Sequence, residues 1–203
     1  MEPASVAAGL ATAKLAADVC GGALSLLRTI RESLETATEI DEQLLRVALI
    51  EVQQNLVLLD GMKTKGLRGR DRLLLPFFDQ LRLDGLGALL LHWPHPGPEP
   101  APPRFSSEPQ TQRWMEQVAE RQDDLQLLSY VRFIVVRAGG VRSLAAIDPE
   151  VTKQLSIGVR LRNLAQAHRQ VLRLLESEQA IEHLVQRRSP GGPARVSVSV
   201  AKP

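Results

Sequence analysis

The sequence predicts an all-α protein, a helical bundle of five to seven helices. Three observations carry this prediction. Aromatic residues are only 3% of the chain while hydrophobic residues are 44%. The core must therefore be built from Leu, Val, Ile and Ala, which suits packed helices better than a sandwich rich in Tyr, Phe and Trp. Apolar residues recur at 4-3 spacing through several long segments, the period of one helix lying on another. Seven of the thirteen prolines are confined to the sixteen residues Pro94 to Pro109, so the segments on either side are free to be helical.

Residues 3–35 are expected as one long helix, with Pro3 tolerated in its first turn. Val6, Leu10, Ala13, Ala17, Cys20, Leu24, Leu27 and Leu34 form its apolar seam, broken only by Arg31. Gly21 and Gly22 interrupt it at a cost of about 2 kcal/mol of helix propensity and mark a place to kink. Thr36 to Asp41 forms a turn in which Thr38 and Asp41 make a shortened capping box. A second helix runs from there to about Asp60, with Gly61 as its C-cap. Its seam is Leu45, Leu49, Val52, Leu56 and Leu59, and Leu44, Val47, Ile50, Val57 and Leu58 widen the apolar surface beyond one stripe. A helix so apolar should touch more than one neighbour. The short connection makes the two helices an antiparallel hairpin. The expected helix-packing interface is Leu10, Ala13, Ala17, Leu24 and Leu27 with Leu45, Leu49 and Leu56.

The opening MEPASVAAGLATAKLAADV begins with Met, an acidic residue, Pro and an apolar helix of small residues. It resembles the helical N-terminal domains of NACHT-type signalling NTPases and of HeLo-like cell-death proteins. The resemblance covers roughly the first 35 residues and rests on composition. With no NTPase domain following it in this chain, the resemblance implies a stand-alone signalling or membrane-acting bundle.

Lys63 to Arg72 (KTKGLRGRDR) is a basic, glycine-containing loop. Lys63, Lys65, Arg68, Arg70 and Arg72 are candidate contacts for an anion or an acidic partner, set against a solvated connector. Gly61 and Gly66 have the separation of a phosphate-binding loop, but Leu67 stands where that loop needs lysine. Residues 73–93 are strongly apolar from Leu73 to Trp93, with Gly85 and Gly87 expected to separate two short helices. This segment is either core or a docking or membrane-inserting surface. Pro94 to Pro109 is read as a spacer, a long external crossover within one bundle, the alternative being a linker between two domains. Residues 1–93 and 110–188 are its two flanks.

After the crossover, Ser106 or Ser107 can cap a helix with Pro109 in its first turn. Trp114, Val118, Leu125, Leu128 and Val135 then share one face, and the strand-like YVRFIVV stays in helical register until Gly139 and Gly140 end it. Asp148-Pro149-Glu150 starts the next helix, to about residue 176, with Ile157, Leu161, Leu164, His168, Val171 and Leu175 as its seam. His168 in that seam is expected to be a core histidine held by one partner. Arg162, Arg169 and Arg173 form a stripe on another face, either solvated or facing phosphate or an acidic partner. A short helix over 178–187 presents Ile181, Leu184 and Val185. Residues 189–203 form a tail, disordered or adding a strand elsewhere through RVSVSV.

Catalytic patterns are missing from the sequence. One cysteine and four histidines provide no metal-ligand spacing, and no nucleophile elbow or dinucleotide fingerprint is present. Asp123 and Asp124 diverge on a helix, and Glu116 with Glu120 is a commonplace surface pair. No cofactor and no enzymatic activity are expected. Net charge is +2, without the basic field and interleaved aromatics a nucleic-acid module needs. The charge is uneven: residues 1–60 hold four basic and nine acidic residues, residues 148–203 nine and five. A single cysteine and no signal or spanning segment fit a cytoplasmic location. The expected function is a non-catalytic interaction or assembly module whose partner is a protein, either a second copy or a helical partner. A membrane-acting effector is the second reading, and phosphate or nucleic-acid binding the third.

Overall fold

The structure, a computed structural model, describes residues 21–64, 78–93, 108–147 and 157–188. Every regular element among them is a helix, in keeping with the all-α class. In chain order they are α1 (21–33), α2 (Ala37–Thr64), α3 (Asp84–His92), α4 (Glu108–Ala119), α5 (Asp123–Ile147), α6 (Ile157–Leu175) and α7 (Glu178–Arg188). A helical turn at 78–80 precedes α3. The N-terminal residues Leu10, Ala13 and Ala17, the basic residues Lys65, Arg68, Arg70 and Arg72, the crossover 94–107, the Asp148-Pro149 start signal and the tail 189–203 lie outside the described residues.

One hydrophobic cluster runs from Ala23 of α1 to Val185 of α7. α2 and α6 are its axis: α6 packs along α2 and against α5, while α3 sits between α2 and α5, and α7 closes on α2 and α6. Contacts fix the directions. Glu51 of α2 meets the start of α3 at Gly85 and Asp41 meets its end at His92, so the two are antiparallel. Gly22 of α1 lies against Asp84 and Arg31 against His92, so α1 runs with α3 and antiparallel to α2. The expected hairpin is present.

Several boundaries differ from the sequence reading, each for a local reason. The capping box at the start of α2 is Thr36 with Glu39 rather than Thr38 with Asp41. The Thr36 hydroxyl accepts the Glu39 backbone N–H at 3.1 Å, and the Glu39 carboxylate accepts the Thr36 backbone N–H at 3.0 Å. That satisfies two end donors at once and holds the Glu39 carboxyl below its ordinary range. α2 continues through Gly61 to Thr64 instead of ending there. Gly85 and Gly87 lie inside α3, and the break falls at 81–83. A side chain at Gly85 would meet Val47 at 2.7 Å, so glycine is there for close approach of α3 to α2. Gly139 and Gly140 lie inside α5, which runs on to Ile147. The long helix expected between the Ser106 or Ser107 cap and Gly139 is two helices, broken at 120–122, where Gln126 donates to the carbonyls of Ala119 and Arg121. The break lets Trp114 of α4 stack on Phe133 of α5 at 5.0 Å and meet Tyr130 edge-on at 6.0 Å.

The seam of α1 is also shifted. Ala23, Leu27 and Ile30 are buried, whereas Leu24 is 53% exposed. Ile30 falls outside the predicted 4-3 register, and its inclusion rotates the buried stripe away from Leu24. The seam of α6 is as expected, with all six of its residues buried, and Ile181, Leu184 and Val185 of α7 are buried too. Most of the described part of the leucine-rich segment is core: Phe78, Leu81, Leu83, Leu86, Leu89 and Trp93 are 2% exposed or less, while Leu91 is 44% exposed. Among the described residues no helix is long and apolar enough to cross a membrane.

Candidate assembly surface on α2

Two buried polar side chains, Asn55 and Glu51, and the half-buried Arg142 hold the 78–86 segment in place, and little in the residue pattern marks them out. Arg142 of α5 donates to the carbonyls of Phe78 (2.6 Å), Asp79 (3.3 Å) and Leu81. Its guanidinium is thereby a cap for the helical turn at 78–80, and burial pushes its pKa down. Asn55 of α2 brackets Arg82: its side-chain oxygen accepts the Arg82 N–H and its amide donates to the Arg82 carbonyl, each at 2.8 Å. Glu51 of α2 accepts the first free N–H groups of α3, from Gly85 at 2.7 Å and Leu86 at 2.9 Å. Burial raises the pKa of Glu51 against those hydrogen bonds, which lower it.

His168 completes this network. Its Nδ1 lies 2.7 Å from the Leu164 carbonyl, which can only accept, so Nδ1 carries the proton. Nε2 is then an acceptor and takes the Asn55 amide at 3.2 Å. A second ring proton would face the Asn55 donor, in a site with no exposure. Burial accordingly pushes the His168 pKa down to about 4. The predicted core histidine is satisfied by two partners rather than one.

A second polar cluster closes the other end of α3. Asp41 accepts from His92 Nε2 at 2.7 Å and from the Trp93 indole N–H at 2.9 Å, while Arg31 donates to His92 Nδ1 at 3.0 Å. The guanidinium can only donate, so Nδ1 is the acceptor and the imidazole bridges α1 and α2. These clusters fasten α3 to its neighbours. Among the described residues no group of three or more His, Cys, Asp or Glu is placed to hold a metal ion.

The surface with spare chemistry is the outer side of α2. Its inner side is saturated: Leu44, Leu45, Ala48, Val52 and Leu59 are 2% exposed or less. On the outer side Ile50 is 52% and Val57 76% exposed. Seven residues apart, they lie on one stripe, with exposed Gln53 between them. Next to Val57 an open groove of about 740 Å³ separates the C-terminal thirds of α2 and α6. Leu56, Val57 and Leu172 make its apolar lining, and Arg169, Arg173, Asp60 and Glu176 supply its charge.

The predicted contact residues divide across this surface. Arg169 reaches Asp60 of its own chain at 2.5 Å, so the acidic partner expected for the arginine stripe is supplied at that position by α2. Arg173 is on the groove wall beside Gln170, and Arg162 is exposed on the same helix. The backbone of Lys63 forms the last turn of α2. Of the expected helix-packing residues, Leu27, Leu45 and Leu56 are buried, Leu49 is half-buried and Leu24 faces outward. Arg46 stands one turn before Ile50 and is held by Glu42 at 2.8 Å and Glu178 at 2.5 Å. Those two carboxylates keep its guanidinium charged beyond its ordinary range.

In comparisons with protein-family models, curated proteins and solved structures, nothing matches this chain.

Proposed function

We propose that this chain is a non-catalytic helical assembly module that acts in the cytoplasm by self-association. The observation that carries the reading is that α2 exposes two aliphatic side chains on the side away from its core face. Its inner side fills the core, and its outer side presents Ile50 and Val57 to water beside a groove with an apolar floor. Exposed aliphatic side chains aligned on one stripe of an otherwise saturated helix are a contact surface for another helix. The buried polar groups serve to fix α3 and the 81–83 connector, so they support architecture rather than turnover. The membrane-acting reading drew on the small-residue N-terminal helix, of which residues 1–20 lie outside the described residues, and on the leucine-rich segment, where Phe78, Leu81, Leu83, Leu86, Leu89 and Trp93 are core and Leu91 is 44% exposed.

Sedimentation equilibrium of the full chain tests the proposal. A mass above the 22.3 kDa of one chain, rising with concentration, is expected. A single 22.3 kDa species across the whole concentration range would overturn it.

A further inference from the structure

The outer stripe of α2 has an internal symmetry that names its occupant. Arg46, Ile50, Gln53, Val57 and Asp60 follow one another at spacings of four, three, four and three residues, the spacing of a helix seam. In chain order the stripe reads cation, aliphatic, amide, aliphatic, anion. Read backwards, it is the same with the two charges exchanged. Laid against itself in parallel, it would set Arg46 beside Arg46 and Asp60 beside Asp60. Laid antiparallel, each cation meets an anion and the aliphatic residues meet each other. Arg46 and Asp60 keep side-chain exposures of 40% and 50% despite their partners within the chain, so both are within reach of a neighbour.

We infer that a second copy of this chain covers this face, its α2 antiparallel to the first about a two-fold axis between Gln53 and Gln54. This rests on the self-association reading above and identifies the surface used. Each Ile50 then packs on the second copy's Val57, twice by symmetry, which is how a two-fold interface is built from one patch. Arg46 comes alongside the second copy's Asp60, joining the Glu42–Arg46–Glu178 and Asp60–Arg169 pairs into one charged rim. Rim charges of this kind select orientation more than they add affinity. The affinity comes from the aliphatic contacts, and the antiparallel helix dipoles add to it.

The test uses the full chain carrying Gln53→Cys, once with Cys20 present and once with Cys20→Ser. Mild oxidation is expected to give a disulfide-linked dimer in both backgrounds, because the axis places each introduced thiol beside its symmetry copy. Glu182→Cys on the exposed side of α7 is expected to give none. Ile50→Asp and Val57→Asp change exposed side chains, so helicity should be retained while the dimer weakens by at least about tenfold. A full chain that dimerises, fails to cross-link through the Gln53→Cys thiol and is indifferent to Ile50→Asp would overturn this surface and leave self-association standing. A chain that is monomeric throughout overturns both. An intramolecular link between Cys20 and the introduced thiol, in place of the dimer, would assign the face to the chain's own N-terminal segment and overturn the second copy as its occupant.

Discussion

Lowering the pH should unfold this protein through His168, and the size of the effect can be worked from the structure. The ring is fully buried, with one nitrogen committed to donate to Leu164 and the other to accept from Asn55. Its pKa falls from the ordinary 6.5 to about 4. Below pH 6.5 the unfolded chain takes up a proton that the native state refuses, so stability drops as pH falls and the loss is complete near pH 4. At 1.36 kcal/mol per unit, the full window is worth about 3 kcal/mol, a large part of the roughly 5–15 kcal/mol that holds a domain folded. Glu51 acts in the opposite sense. Its raised pKa means that the native state holds a proton more tightly than the unfolded chain, so its contribution is lost as pH rises through the folded value. The His168 effect must therefore be read as a difference. Guanidinium unfolding of the wild type and of His168→Gln at about pH 7 and about pH 4.5 isolates it, because every other titration is common to both. The wild type should lose more stability than the variant, by about 2 to 3 kcal/mol. Parallel losses, equal within about 0.5 kcal/mol, would refute the assignment of a neutral, doubly bonded imidazole.

Other consequences follow from the same packing. Asn55→Ala removes three hydrogen bonds from a residue 1% exposed and should cost about 3 kcal/mol by chemical denaturation, with faster proteolysis in the 81–83 connector. Glu51→Gln should flatten the decline of stability with rising pH that the raised carboxyl pKa produces, measured as the urea midpoint from about pH 5 to about pH 8. Glycine replacements should split by site. Gly85→Ala drives a methyl to 2.7 Å from Val47 and should destabilise by about 1 to 3 kcal/mol. Gly139→Ala meets nothing within 4 Å and should stabilise by up to about 1 kcal/mol, read as melting temperature. Thr36→Ala should cost about 1 kcal/mol through loss of the α2 cap, seen as a lower urea midpoint.

The outcome at the glycines shows where local signals yield to packing. Gly61, Gly85, Gly87, Gly139 and Gly140 were each expected to end or separate a helix, and each lies inside one. A helical glycine costs about 1 kcal/mol. The helices around them bury Leu59, Leu86, Leu89, Ile134 and Val141 almost completely, and each larger aliphatic side chain contributes about 1.5–3 kcal/mol. Burial wins, and the helix continues. The break at 120–122 shows the converse. Residues on both sides of it keep helical periodicity, so nothing in the spacing marks it. Stacking Trp114 on Phe133 and Tyr130 requires the chain to turn there.

The fold class, the course of α6 and the buried histidine are legible in the amino-acid order alone. Few aromatics and 4-3 spacing leave packed helices as the way to bury so much Leu, Val, Ile and Ala. α6 can be read residue by residue because one face is apolar and the other charged, so only one rotation of the helix is stable. α2 can be read as a central helix but not in its detail, because apolar residues on nearly every side leave its rotation open. Packing settles that rotation, turning Leu44 and Val52 inward and Ile50 and Val57 to water. Packing also selects the polar side chains that hold the chain together. Glu51 and Asn55 look like ordinary helix-surface residues in the sequence, Asp41 reads as a capping residue, and Arg142 lies beyond the glycines expected to end its helix. Their partners, at 2.6–2.9 Å, are backbone groups and side chains from 27 to 64 residues away. Hydrogen bonds over such separations are fixed by how helices pack, and no local pattern encodes them.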